Sequence, residues 1–275
     1  MSASTPTSRE GSLEAPTRHP IDWQTEAFYD EAALTKELER VFDICHGCRR
    51  CFSLCNAFPT LFDAVDETPN GEVHAVEKHA FWEVVDQCYL CDMCFMTKCP
   101  YVPPHPWNVD FPHLMLRAKA VHFRNEGASV RDRLLASPEV VGRLAGIPVV
   151  AEVVNAANRS RVGRAVLEKA FGVDRTAPVP TYQSRTARRR LGKRKSADAA
   201  SAAEGIQATE ETRGRVALFT TCYGNRNEPE LDEDLVAIFE HNGIPVSLVP
   251  QERCCGMPKL ELGDLESIAR LKAFN

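Results

Sequence analysis

Apolar positions recur at helical spacing just ahead of two cysteine-rich loops. Leu34, Leu38, Val41 and Phe42 follow Asp30, a good N-cap, and predict a helix that runs straight into Cys45. Ala80, Phe81, Val84 and Val85 share one side of a second predicted helix over 76–87, which leads into Cys88. Between the two, Pro59, Pro69 and Asn70-Gly71 mark turns in a connector. The repeated unit is a helix followed by a cysteine loop, and its small core is expected to consist largely of whatever the cysteines bind. A third helix is predicted from about Pro112, with Leu114, Leu116, Ala120, Val121 and Phe123 on its buried side and Gly127 at its stop. Residues 130–172 predict two or three short helices, with Ser137 as a cap and Pro138 in the first helical position. Their Leu134, Leu135, Val140, Val141, Leu144, Ile147, Val150, Val153 and Val154 form too much apolar surface for helices standing in water. Packing within the chain is the expected use of that surface, ahead of a partner subunit or a membrane interface.

The period changes near residue 215. VALFTT at 216–221 predicts a buried strand, 229–241 a helix, 244–249 a second strand, and Asp264 starts another helix. A strand, helix and strand in this length imply parallel strands with a right-handed crossover. Cys222 and the Cys254-Cys255-Gly256 run then share the C-terminal edge of the sheet, where ligands of α/β folds bind. Gly256 is expected to let backbone come close to a metal or substrate. The fold class expected is α+β and multidomain. Residues 1–22 should be disordered, 23–128 a mainly helical module holding both cysteine-rich loops, and 129–173 a helical extension. Residues 174–213 should be a basic, low-complexity linker and 214–275 an incomplete α/β cysteine-rich domain. A two-stranded unit leaves an edge unpaired, so either further chain or a second polypeptide is expected to complete it.

Charge narrows the functional classes. The net charge of −5 over 275 residues does not mark a nucleic-acid binder. The run RTARRRLGKRK places seven basic residues between Arg185 and Lys195, but it holds no aromatic side chain to stack on bases. It reads as a solvated tether rather than a nucleic-acid site. The N-terminal stretch has no apolar signal region, and no run approaches the roughly 18 apolar residues that span a bilayer. A cytoplasmic protein is expected, with peripheral attachment to the inner face of the cytoplasmic membrane as the variant reading.

Cysteine spacing carries the chemistry. Eight of the eleven cysteines fall in CHGCRRCFSLC and CYLCDMCFMTKC. Cys45, Cys48, Cys51 and Cys55 are separated by two, two and three residues, and Cys88, Cys91, Cys94 and Cys99 by two, two and four. Structural zinc takes cysteines in pairs and would leave a third cysteine over in each run. Disulfides suit small secreted chains, and nothing in this sequence suggests export. Three thiolates in seven residues instead suit three irons of one cubane. His105, His113 and His122 lie nearby in sequence, but the eight cysteines already fill every ligand place, so these histidines read as structural.

The two runs resemble those of two-cluster ferredoxins, in which the last cysteine of each run ligates the other cluster. Carried over, Cys45, Cys48, Cys51 and Cys99 hold one 4Fe–4S cluster, and Cys88, Cys91, Cys94 and Cys55 the other. With CYLCDMCFMTKCPYVPPHPWNVDFPHLMLRAKA and the stretch from VALFTTC to CCGMP, residues 40–275 resemble the iron–sulfur C subunit of anaerobic glycerol-3-phosphate dehydrogenase. They resemble the heterodisulfide-reductase-related, CCG-domain oxidoreductases as well. The resemblance implies an electron-transfer subunit fed by a flavoprotein dehydrogenase and discharging to a quinone or a thiol/disulfide acceptor. Cys222, Cys254 and Cys255 match the first part of the family's cysteine-rich domain, and a further iron–sulfur cluster or metal is implied there if the domain is completed. The rival enzyme reading is a thiol/disulfide reductase working at those three cysteines. The rival binding reading is an iron–sulfur sensor.

Overall fold

In the computed structural model, residues 15–198 and 216–275 are described. The chain forms two compact units, one of residues 15–128 with Lys259–Leu265, the other of the remaining described residues. It is mostly helical, with a single small sheet.

The first unit is built on four helices. Helix α1 (Glu31–Cys48) starts where Asp30 accepts a hydrogen bond from Ala33 N at 2.8 Å, and it buries Leu34, Leu38, Val41 and Phe42. The connector is itself a helix, α2 (Ala57–Asp66). Pro59 does not break it, because proline is tolerated in a first turn where its missing N–H has no helical partner. Ala57, Phe58, Leu61, Phe62 and Val65 make its buried face. Helix α3 (Lys78–Asp86) buries Phe81, Val84 and Val85. Helix α4 (Phe111–Glu126) is capped by Asp110, which accepts from His113 N at 3.1 Å, and ends at Gly127 with φ +73°. The four helices share an aromatic core. Phe42 meets Phe81 edge-on at 5.0 Å, and Phe58 lies 4.8 Å from Phe111. This core is larger than the cysteine loops alone would supply, which corrects the expectation that the bound groups are most of it.

Residues 15–22 lie inside the stretch expected to be disordered, yet they carry specific contacts. Thr17 N donates to Pro103 O at 2.9 Å, and Arg18 reaches two carboxylates described below. Residues 1–14 lie outside the described residues.

The second unit starts with helices α5 (Val130–Leu135), α6 (Pro138–Ala145), α7 (Pro148–Arg159) and α8 (Arg161–Phe171). Their apolar side chains are not packed away as expected. Val149, Val153 and Val162 are 72%, 63% and 75% exposed, and Leu134, Leu135, Val140, Leu144, Ile147 and Val150 are also exposed. Ala151 of α7 is buried. No single described helix is long and apolar enough to cross a membrane. Pro138–Leu144 with Val149–Arg159 would suffice together in length and composition, but the pair is bent by 111°.

The basic run, expected as a tether, instead begins helix α9 (Ala187–Asp198). Ala187 and Leu191 are buried, and Leu191 packs with Leu218 and Val236. Arg190 pairs with Glu230 at 2.8 Å and Glu233 at 3.1 Å. Two apolar positions and an acidic counter-surface turn a charged run into a docked element. The low-complexity part of the expected linker, from 199 onward, lies outside the described residues.

Strands β1 (Val216–Leu218) and β2 (Val246–Leu248) pair in parallel, Val216 opposite Val246 and Leu218 opposite Leu248. Helix α10 (Cys222–Arg226) follows β1, and α11 (Pro229–His241) makes the crossover to β2. Helices α12 (Met257–Glu261) and α13 (Leu265–Phe274) follow the second cysteine run.

Candidate cysteine sites

Helix α1 delivers Cys45 and Cys48 on its last turn and then ends abruptly. Arg49 is left-handed, with φ +48°, and its N–H donates to Cys45 O at 2.8 Å. That reversal turns the chain so that Cys51 comes back beside the helix end. Cys99 arrives from the other run, after a π-helical turn at Cys94–Lys98. The thiols of Cys45, Cys48, Cys51 and Cys99 line one cavity, with Phe58, Tyr101 and Val109 around them. The enclosed space among these residues is about 20 Å³, little more than one water needs.

The electrostatics explain why such a set calls for a cation. Burial pushes the Cys45 thiol well up, and the neighbouring Cys99, Cys51, Cys94 and Cys48 push it further. Four thiolates cannot coexist there without a positive centre between them. Cys99 is also raised by burial, but the N–H groups of Tyr101 and Val102 donate to it and Arg50 lies near. The Tyr101 hydroxyl is hydrogen-bonded to Cys48. Donors of this kind stabilise negative charge on sulfur and tune a cluster's potential.

In the second set, burial pushes Cys88 up to about 11, with Cys55 and Glu261 adding to it and the Leu90 N–H and Lys119 opposing it. Cys94 is raised strongly by burial and then by Cys51, Cys88, Cys55 and Cys99. The structure therefore brings Cys55, from the first run, to Cys88 and Cys94 of the second. Cys91 differs, standing exposed on a turn between Leu90 at φ +52° and Asp92 at φ +62°. Left-handed backbone is costly for a leucine, and strain of this kind gathers where a loop is shaped for a ligand. Among the described residues, no three His, Cys, Asp or Glu side chains stand arranged for a single metal ion. The donor chemistry of both sets, soft sulfur with N–H groups aimed at it, fits a polynuclear iron–sulfur cluster.

Charges near the loops are already answered. Arg49 pairs with Asp66, leaving Arg50 as the basic residue facing the thiols. Asp92 receives two hydrogen bonds from Arg18, at 2.8 and 2.9 Å. Arg18 also donates to Asp110 at 3.0 Å and lies 4.1 Å over the Phe95 ring. Nothing in the sequence pairs Arg18 with residues 74 and 92 positions away. We expect Arg18→Ala to cost roughly 1–3 kcal/mol of stability, the range for charge-assisted hydrogen bonds. Urea unfolding and faster hydrogen exchange around Asp92 would check it; an unchanged loop would contradict it.

The three histidines take structural places. His105 is buried between Tyr101 and Trp107, and its Nδ1 accepts from Trp107 N at 3.1 Å. His113 pairs with Asp110 at 3.1 Å, and His122 packs on Trp82.

The third group of cysteines meets at the C-terminal edge of the β1–β2 pair. Thr221, at φ +54°, turns the chain out of β1, and its hydroxyl accepts from Gly224 N at 3.2 Å. Cys222 opens α10, and its thiol is pulled down to about 7, chiefly by a hydrogen bond from the Cys254 thiol. Cys254 is correspondingly pushed up as the proton holder of the pair, with burial adding to it. Gly256 N donates to Cys254 Sγ at 3.4 Å, while Cys255 stands exposed. Gly256 does not serve the close approach expected of it. At φ +95° a Cβ there would sit 2.7 Å from Ile268 of α13, so the glycine makes room for a helix rather than for a ligand. A cavity of about 690 Å³ opens beside Cys222 and Cys254.

Behind it, Asp232 is 7% exposed and touches Gly224, and its Oδ2 has no hydrogen-bond partner among the described residues. Burial and then the nearby Glu252 raise its carboxyl to about 6. The native state therefore holds this proton more tightly than the unfolded chain. Stability is fullest below about pH 4 and is lost as pH rises through about 6. We expect Asp232→Asn to stabilise the unit by roughly 1–3 kcal/mol at neutral pH and by much less in acid. Urea midpoints at the two pH values test this; a gain confined to acid would reverse the sign.

Residues 216–273 match the cysteine-rich (CCG) domain family. The C subunit of anaerobic glycerol-3-phosphate dehydrogenase from Escherichia coli K12 is 26% identical over 159 residues, 58% of this chain and 36% of that protein. The same protein of Escherichia coli O157:H7 gives the same figures. Citrate utilization protein B of Escherichia coli is 26% identical over 83 residues, 30% of this chain and 19% of that protein. The chain thus spans 36% of the length of the two dehydrogenase relatives. No solved structure matches. Residues 216–273 thus carry a cysteine-rich domain, and part of the chain is similar to the C subunits of these dehydrogenases.

Proposed function

We propose that the chain is an iron–sulfur electron-transfer subunit of an oxidoreductase complex. Two 4Fe–4S clusters are held by Cys45, Cys48, Cys51 and Cys99 and by Cys88, Cys91, Cys94 and Cys55. The observation that carries this reading is the convergence of the two runs, Cys99 lining the cavity of the first and Cys55 close enough to Cys88 and Cys94 of the second to raise both thiols. When bound, the clusters supply one-electron transfer, and the protein supplies placement and charge. Arg50, Lys119 and the N–H groups of Leu90, Tyr101 and Val102 offset negative charge on the sulfurs. Electrons come from a flavoprotein dehydrogenase partner and leave to a quinone or a thiol/disulfide acceptor. The exposed apolar side chains of α5–α8 support peripheral contact with the inner face of the cytoplasmic membrane or with a partner subunit.

A second reading is favoured by the hydrogen bond between Cys222 and Cys254, a low-pKa thiol beside its proton donor. A thiol/disulfide reductase uses such a pair, and the same cysteines could hold a further cluster or metal. Isolation of the native complex decides between them. Electron transfer predicts a co-purifying flavoprotein whose substrate bleaches the cluster absorbance. Direct reduction of a disulfide without any flavoprotein would overturn it in favour of the reductase.

A further inference from the structure

We propose that the cavity beside Cys222 and Cys254 binds a small organic oxyanion, held by Arg226 and Arg143. The cavity lies in the second unit and is independent of the eight-cysteine sites, so its failure would leave the proposed electron path standing. Its volume of about 690 Å³ is within the range of small-molecule pockets. Four guanidinium groups line it, those of Arg143, Arg188, Arg226 and Arg253.

The two carboxylates at the wall are already engaged. Glu252 accepts from Thr220 N at 3.0 Å and from the Thr220 hydroxyl, and lies 3.5 Å from Arg188. Glu139 accepts from Arg143 at 3.0 Å. Arg226 has no carboxylate oxygen within ion-pair distance among the described residues. It is half-buried and donates to Gly142 O at 3.0 Å; burial and then the neighbouring Arg143 disfavour its charge, partly offset by Glu139 and Cys222. Arg253 is likewise without a carboxylate partner there, its plane stacked 4.2 Å over Phe274.

The fold goes out of its way to seat Arg226. A Cβ at Gly142 would lie 2.7 Å from Arg226 Cδ, and one at Gly146 would lie 3.0 Å from Arg226 Nη1. Glycine inside a helix costs about 1 kcal/mol against alanine, so Gly142 in α6 is a position where that cost is carried for room. A desolvated cation beside a second cation costs free energy until an anion arrives between them. Guanidinium groups match carboxylate and phosphate in bidentate geometry. Leu271 and Phe274 on the same wall, and a volume well beyond one inorganic anion, give the ligand an apolar part.

Calorimetric titration of the full chain with inorganic phosphate, succinate and phenyl phosphate tests the site. An organic anion should bind roughly tenfold tighter than inorganic phosphate, and comparison of succinate with phenyl phosphate assigns carboxylate or phosphate chemistry. Arg226→Gln and Arg143→Gln should each weaken that binding about tenfold or more. Gly142→Ala keeps every charge but displaces Arg226, and should weaken it as well. Arg131→Gln, in the same unit but outside the cavity wall, should leave it unchanged. Circular dichroism of each variant confirms that it is folded, and Arg226→Lys stands in if Arg226→Gln is not. No binding of any of the three anions overturns the proposal. So does inorganic phosphate binding as tightly as the organic anions, or binding that survives both arginine variants.

Discussion

Cys99→Ser should empty the site lined by Cys45, Cys48 and Cys51, even though Cys99 lies in the other run. Its thiol stands in their cavity, and its charge and that of Cys45 act on each other. Cys55→Ser should do the reverse and damage the site at Cys88, Cys91 and Cys94, since Cys55 is near enough to act on the Cys88 and Cys94 thiols. Each variant should lose about half of the iron, roughly four of eight per chain, because a cubane missing a protein ligand is readily lost. Paramagnetic resonance of the reduced variants assigns the surviving signal. Retention of the first cluster's signal in Cys99→Ser, with loss of the second, would show that each run ligates its own cluster.

Gly263→Ala should strongly destabilise the first unit. Gly263 has φ +79°, and a Cβ there would lie 2.4 Å from the backbone carbonyl of Lys119 and 2.6 Å from Ala120 N. Helix backbone cannot yield as a side-chain tip can, so the turn between α12 and α13 must lift off α4. That would uncover Leu116, Ala120 and Leu265 and separate Lys119 from Glu261, now 3.4 Å apart. The loss should be about 3–5 kcal/mol, combining left-handed strain with lost packing. Because Lys119 and Glu261 both act on the Cys88 thiol, the second cysteine set should become more labile as well. A lowered urea midpoint with fast hydrogen exchange at 259–265 is expected. Wild-type values for both would mean that this turn does not dock on α4.

The parts legible in the sequence were those set by local periodicity. Helices α1, α3 and α4 follow from apolar spacing with Asp30 and Gly127 at their ends, and β1, α11 and β2 from the change of period after residue 215. The cysteine runs stand out through their spacing alone. Elements that depend on tertiary partners were not legible. Pro59 disguises α2, although Phe58, Leu61, Phe62 and Val65 repeat at helical spacing behind it. The basic run docks because Glu230 and Glu233 of α11 face it, which a local reading of its charge does not reveal. Arg18 and Arg226 are fixed by groups far away in sequence. For Arg226, Gly142 and Gly146 four positions apart were the available signal, a small-residue notch in a short helix.

The surface of α5–α8 illustrates the limit from the other side. An apolar stripe shows that something should cover a helix, and leaves open what does. Val149, Val153 and Val162 stand exposed among the described residues.

The most direct test of two cross-tied cubanes is the iron and acid-labile sulfide content of anaerobically purified chain, read together with its reduced paramagnetic resonance spectrum. The proposed function predicts about eight iron and eight sulfide from the eight cysteines of the first unit, with two interacting cluster signals. Zinc in place of iron, without labile sulfide, would contradict it.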